Sequence, residues 1–200
     1  VACRRPLQKK GSRMKFFKSY TGALTVLALA VVLCIPLGCL RSVSAQRAQV
    51  LEIFEQGTAG DGYSTAIDMH VRISIGKNLI TLAGRYPEAG AASGLPGAVN
   101  WAEANAHPDA GAFPEADAAL GVQCAQAIEA LRAAGVSERD EEYLRGFEVE
   151  LEAAADRMRR DGYNTAAWRF NEKILGGFPA ALLRGMGIVK ELPLLADVNG

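Results

Sequence analysis

From Ser137 to Ile174 the chain places an apolar residue every third or fourth position: Leu144, Phe147, Leu151, Ala154 and Met158. That spacing draws one stripe along an α-helix. Ser137 followed by Asp140 has the form of a capping box at its start, and the acids at 138 to 142 suit the positive end of the helix dipole. Glu141 with Arg145, and Asp156 with Arg160, make favourable pairs four apart. After Met158 the stripe resumes at Tyr163, then Ala167, Phe170 and Ile174, so it slips once beside Gly162. Glycine weakens a helix interior by about 1 kcal/mol relative to Ala, which predicts a kink or a rotation of the buried face there. Gly176-Gly177 predicts a left-handed stop, with Pro179 just beyond.

A second helix is predicted over about 116 to 134, with Leu120, Cys124, Ile128 and Leu131 on one side and Gly135 as its terminator. The short turn at Gly135-Val136 favours an αα-hairpin. Residues 63 to 86 carry two patterns. Met69, Val71, Ile73 and Ile75 alternate with polar residues as in a strand, whereas Ile67, Val71, Ile75, Leu79, Leu82 and Tyr86 form a helical stripe. Length favours the helix, and no second alternating run offers a strand partner. Residues 46 to 56 read as helix up to the break at "GTAGDG", 57 to 62. Residues 87 to 114, rich in Gly, Ala and Pro, read as a long loop with at most a short helix near Trp101 to Ala106. The last stretch, from Phe178, is apolar but interrupted by Arg184, two glycines and Lys190, so it is expected to fold across the end of the helices or to touch lipid headgroups.

Tyr20 to Leu40 is different in kind: 21 residues without a charge, long enough to cross hydrocarbon as a helix. Seven bases precede it, and only Arg41 and Arg47 follow closely. The positive-inside rule then places residues 1 to 19 in the cytoplasm as a basic segment and residues 41 to 200 outside. A signal peptide cleaved near Ala45 is the rival reading, since Val43 and Ala45 in "SVSAQ" stand at cleavage spacing. Met14 opens "MKFFKSY" and offers an alternative start to Val1. "PLGC" ending at Cys39 has the form of a lipoprotein attachment box, with Pro36 where an aliphatic residue is expected.

Charge sharpens this division. The formal net charge is zero, yet residues 1 to 45 hold eight Lys or Arg and no acid, leaving 14 bases against 22 acids from residue 46 onward. An acidic body argues against nucleic acid as a partner, because phosphate binding needs a clustered basic face. Cys3, Cys34 and Cys39 precede the body and Cys124 stands alone in it, so no disulfide framework is expected. His70 and His107 lack both metal-ligand spacing and a cysteine pair, and His70 reads as a polar-face residue. "GAASGLPG" is neither a nucleophile elbow nor a phosphate loop. No catalytic, cofactor or metal residues are predicted, and the chain is not expected to be an enzyme.

One motif remains. Tyr163-Asn164 and Phe170-Asn171 repeat an aromatic-Asn pair seven residues apart, nearly two helical turns, so the two asparagines share a face. The aromatic members join the buried stripe. Each amide is expected to bond a neighbouring helix and set its register, as a polar residue does within a coiled coil.

The stretch "ADRMRRDGYNTAAWRFNEKILGGFPAALLRGMGI" resembles the carboxy-terminal signature of the LemA family, with Asn164, Asn171, Phe178 and Pro179 matching position by position. "DMHVRISIGKNLITLAGRY" resembles that family's first long helix less closely, with Gly76 and Lys77 at its acidic and arginine positions. The resemblance implies an all-α protein: an amino-terminal transmembrane helix, then an elongated antiparallel bundle of long helices, with a role in the bacterial envelope. The function expected is a membrane-anchored scaffold or interaction module whose partner, an envelope protein, meets the end carrying Tyr163, Asn164, Phe170, Asn171, Phe178 and Pro179. A ligand-sensing or transport-accessory domain is the alternative.

Overall fold

The computed structural model describes residues 20 to 58 and 62 to 195. The predicted basic segment 1 to 19, and with it Met14 and Cys3, lies outside the described residues. Of those described, 79% are helical and none is in a strand, so the strand pattern at 69 to 75 is overruled. The chain forms two units, one ending at Ser42 and one beginning at Val43.

The first helix, α1 (Tyr20–Gln56), runs unbroken through Pro36 and through the cleavage-like sequence at Ala45. The most apolar window of this helix is not buried within the protein. By length and composition this is a helix able to cross a membrane. Beyond Ser42 its character changes: Val43, Val50 and Phe54, at steps of seven and four, are buried in the second unit. Gly57, at φ +73°, turns the chain out of the helix.

The second unit is built on α2 (Thr65–Ala83), which packs against α3 (Leu95–Ala104), α4 (Phe113–Ala133) and α5 (Glu138–Arg160). Ser64 caps α2 by accepting the Ile67 N–H at 3.2 Å. Its buried face is not the purely apolar stripe expected. Ile67 is exposed and Val71 half-buried, whereas Asp68 and Arg72 are inside with Met69, Leu79 and Leu82. Both charges are tolerated because each meets an opposite one, Asp68 with Arg157 at 2.7 Å and Arg72 with Asp117 at 2.9 Å. Gly121 makes room for this, since a Cβ there would lie 2.8 Å from Arg72 Nη2.

Gly76 lets three helices close on one point. A Cβ at this position would stand 2.7 Å from Val99 Cγ2 and 3.3 Å from Leu120 Cδ1. Ala is the better helix former by about 1 kcal/mol, but overpacking of this kind costs about 1–3 kcal/mol. Gly76→Ala is therefore expected to lower stability, and Gly76→Leu to lower it further, read as the midpoint of chemical denaturation. An increase with Ala would show that the crossing is loose.

The predicted loop at 87 to 114 is largely ordered helix. Single 3₁₀ turns at Gly90–Gly94 and Pro108–Ala110 flank α3, and α4 already begins at Phe113. Pro96 sits in the first turn of α3, where its missing N–H does no harm. Leu95, Ala98, Val99 and Ala102 are buried at helical spacing. Ala and Gly, small enough to hide the pattern in the sequence, are what allow this helix to nest against α2 and α4.

The α4–α5 turn follows expectation, with Gly135 at φ +75°. Ser137 caps α5 by accepting the Asp140 N–H at 3.2 Å. The reciprocal half of the capping box is replaced by Tyr86. Its hydroxyl accepts the Ser137 N–H at 3.1 Å and donates to Asp140 Oδ2 at 2.6 Å, while Arg85 holds Oδ1 at 3.0 Å. The Tyr86 hydrogen bond, with Ser137 and Arg85 behind it, holds the Asp140 carboxyl below the usual carboxylate range. A carboxyl lowered by folding stabilises above its unfolded value, near 3.8, and loses that contribution as the pH falls through its folded value. Asp140→Asn is thus expected to be less stable than the parent chain at neutral pH, with the gap narrowing in acid. A gap independent of pH would contradict the assignment.

Candidate functional site

Helix α5 does not kink at Gly162. It stops: Asp161 is extended, at ψ 146°, and a new helix α6 (Tyr163–Arg169) begins. Asp161 holds the start of α2 instead, its Oδ2 accepting from the Thr65 N–H at 3.0 Å and from Thr65 Oγ1 at 2.6 Å. Freed from α5, α6 presents Tyr163 to Phe54. Phe54 also meets Phe113 and His107, all three rings edge-on with centroids 5.3 to 5.6 Å away. Burial pushes the Tyr163 phenol up, and its hydroxyl donates to the Pro193 carbonyl at 2.8 Å.

A π-helical turn, Phe170–Leu175, continues α6. Its wider winding moves the next buried apolar residue from Ile174, where a regular helix places it, to Leu175, five positions after Phe170. Gly176 follows at φ −73°, and no positive φ occurs at Gly176 or Gly177. The left-handed stop predicted there is absent. Gly176 is needed because a Cβ would lie 2.4 Å from the Glu172 carbonyl oxygen.

The asparagines do bond a neighbouring segment, but the segment is not a helix. After the short α7 (Ala180–Gly185) the chain returns, without regular structure from Lys190, along α6 and the π turn. Asn171 donates from Nδ2 to the Leu192 carbonyl at 2.8 Å and accepts the Leu192 N–H on Oδ1 at 2.9 Å. Asn164 Oδ1 accepts the Leu195 N–H at 2.9 Å; its Nδ2 is buried without a hydrogen-bond partner among the described residues. The two amides, 3% and 9% exposed, therefore satisfy backbone groups of a returning strap that seats Val189, Leu192 and Leu195 in the core. The three-residue spacing of those side chains was the available signal in the sequence.

Phe178 and Pro179 stand apart from this clamp. Their peptide bond is cis, Pro179 leads into α7, and Phe178 is 84% exposed. Of the six signature residues, four hold the strap or its floor, and Phe178 faces outward.

The buried carboxylates of the body each meet a basic side chain. A cleft of about 410 Å³ is lined by Thr58, Tyr63, Ser64, Asp68, Arg157 and Arg160, among others. Within it Arg157 binds Asp68 and Glu150 and lies 4.8 Å above the Tyr63 ring. Desolvation raises the Asp68 carboxyl above its ordinary value, against the pull of Arg157. Burial likewise raises Asp117 and pushes the Cys124 thiol up to about 11, which leaves that cysteine a poor nucleophile. Among the described residues no group of three His, Cys, Asp or Glu side chains converges as a metal site needs. His70 is exposed on α2.

No family model, curated protein or solved structure matches this chain.

Proposed function

We propose that the chain is a membrane-anchored, extracytoplasmic helical interaction module of the LemA type, acting as a scaffold in a bacterial envelope through its carboxy-terminal end. In this reading the long helices lie antiparallel in an elongated body, residues 20 to 40 are the retained anchor, and no step of chemistry is assigned. The observation that carries it is the clamp. Two buried amides and one buried phenol fix a strap that closes the end of the body, while Phe178 beside it stays in solvent. A contiguous exposed apolar patch marks an interaction site, and Phe178 is followed within ten residues by exposed Leu182, Met186 and Ile188. Retention of the anchor is supported by the helix continuing through Ala45 and by Val43, just before it, being buried in the body.

The test is a photo-crosslinking amino acid placed at Phe178 in the full chain, with exposed Glu152 on α5 as the control position, irradiated in native membranes. A discrete adduct from position 178 and none from 152 is expected. Equal labelling, or none, would count against a contact surface at this end. Mass spectrometry of the same preparation should find the chain still carrying residues 20 to 45.

The alternative, ligand sensing, has one observation in its favour. A groove of about 500 Å³ between α4 and α5 has Ile128 and Leu151 in its lining and Arg72 beside them. A small carboxylic acid that raised the melting temperature of the parent chain, but not that of Arg72→Met, would favour this reading.

A further inference from the structure

We infer that the carboxy-terminal end docks on an anionic lipid surface, with Phe178, Leu182 and Met186 entering the headgroup layer and Arg169, Lys173 and Lys190 meeting the phosphates. This rests on the contact surface proposed above and names its partner.

Large exposed apolar side chains in the second unit are scattered singly up to Val149, as on any soluble surface. From Trp168 onward they crowd together: Trp168, Phe178, Leu182, Met186, Ile188 and Leu194 fall within 27 residues. Three of them lie in or beside α7. A backbone bond from Met186 N–H to the Leu182 carbonyl carries the winding of α7 on to Met186. Leu182 and Met186, four apart, face outward while Ala180 and Leu183 face the core, and Phe178, across the cis bond to Pro179, is exposed just before the helix starts.

Charge selects the occupant. Residues 46 to 168 hold 10 bases and 19 acids, whereas residues 169 to 195 hold Arg169, Lys173, Arg184 and Lys190 against Glu172 and Glu191. The apolar end is thus the positive end of an acidic unit. Arg184 is paired with Glu191, but Arg169, Lys173 and Lys190 are exposed, and Lys173 lies 5.8 Å above the Trp168 ring. Exposed apolar side chains accompanied in sequence by exposed Lys, Arg and Trp are the composition that settles at a bilayer surface and favours anionic lipid. A second copy of the chain fits less well, because a two-fold contact would set the same positive rim against itself.

The experiment places the full chain in lipid nanodiscs with Phe178→Trp as its sole tryptophan, Trp101 and Trp168 being replaced by Phe. The discs contain phosphatidylcholine alone or with phosphatidylglycerol, each with and without brominated acyl chains. Blue-shifted emission that brominated lipid quenches, strongly with phosphatidylglycerol and weakly without it, is expected, and Lys173→Glu with Lys190→Glu should remove most of the difference. Native Trp168 in a Trp101→Phe chain gives an independent reading if the triple variant is unstable. Water-like, unquenched emission in both lipids would overturn the inference. So would a blue shift that ignores bromine and grows with the number of chains per disc, which would mean a second copy. A protein adduct from position 178 in native membranes, alongside unquenched emission, would leave the contact surface standing and refute lipid as its occupant.

Discussion

Replacing Asn171 by Ala is expected to release the carboxy-terminal strap and to lower the stability of the packed unit by about 4 kcal/mol. The side chain satisfies both the N–H and the C=O of Leu192 in a buried setting. Leaving a buried backbone group without a partner costs about 1–3 kcal/mol, and here two are orphaned at once. The strap can escape that penalty by detaching, which limits the loss to what its docking contributes. Detachment exposes Val189, Leu192 and Leu195, each worth about 1.5–3 kcal/mol when fully buried. Either way the melting temperature of the full chain in detergent should fall by about 10 °C, and limited proteolysis should cut first near Lys190. Asn164→Ala, which removes one bond to Leu195, should do the same to a lesser degree. Unchanged stability in both variants, with loss of a crosslinked partner, would mean that the amides serve a partner and not the strap.

Phe54→Ala is expected to cost a similar amount, about 3–5 kcal/mol. Phe54 is 1% exposed and is the meeting point of α1 with Phe113 at the start of α4, Tyr163 at the start of α6, and His107. Its removal leaves a cavity bordered by three rings and forfeits their edge-on contacts, each worth about 0.5–1.5 kcal/mol beyond area. Phe54→Leu should recover much of the loss, since most of the volume returns. Chemical denaturation of the two variants distinguishes a packing role from one specific to aromatic rings: equal losses would point to the rings.

The strap and the Phe54 cluster both depend on contacts between residues far apart in the chain. The regular helices were legible because their signals are local: Ser137 and Gly135 mark the ends of α5 and α4, and the length of the 63 to 86 stripe outweighs its brief alternation. Helix α3 was hidden because Ala and Gly carry little hydrophobic contrast, although small residues are what allow close crossing. The buried face of α2 differs from the apolar stripe for a related reason. Asp68 and Arg72 look like solvent residues until Arg157 and Asp117, far along the chain, are brought to them. Near Gly162 the slip in the stripe was visible, but it could not say whether the helix bends or ends. Asp161 decides that by turning to cap α2.

The seven-residue spacing puts the aromatic-Asn pairs on one face, but it does not say that their partner is a strap and not a helix. An amide bonds any backbone N–H or C=O left unpaired, and a helix interior has none to offer. A strap without regular structure has many, so the asparagines went to it. The register of the π turn, with Leu175 and not Ile174 inside, likewise follows from tertiary packing, to which a count of three and four is blind.

Asn164 and Asn171 hold the carboxy-terminal strap by the backbone of Leu192 and Leu195. Hydrogen exchange at the Leu192 and Leu195 amides of the full chain reads those bonds one by one. Both should exchange slowly in the parent chain, and at open-chain rates in the Asn164→Ala, Asn171→Ala double variant, while the Leu79 and Leu120 amides stay protected. Open-chain exchange at Leu192 and Leu195 in the parent chain would contradict the clamp and the surface built on it.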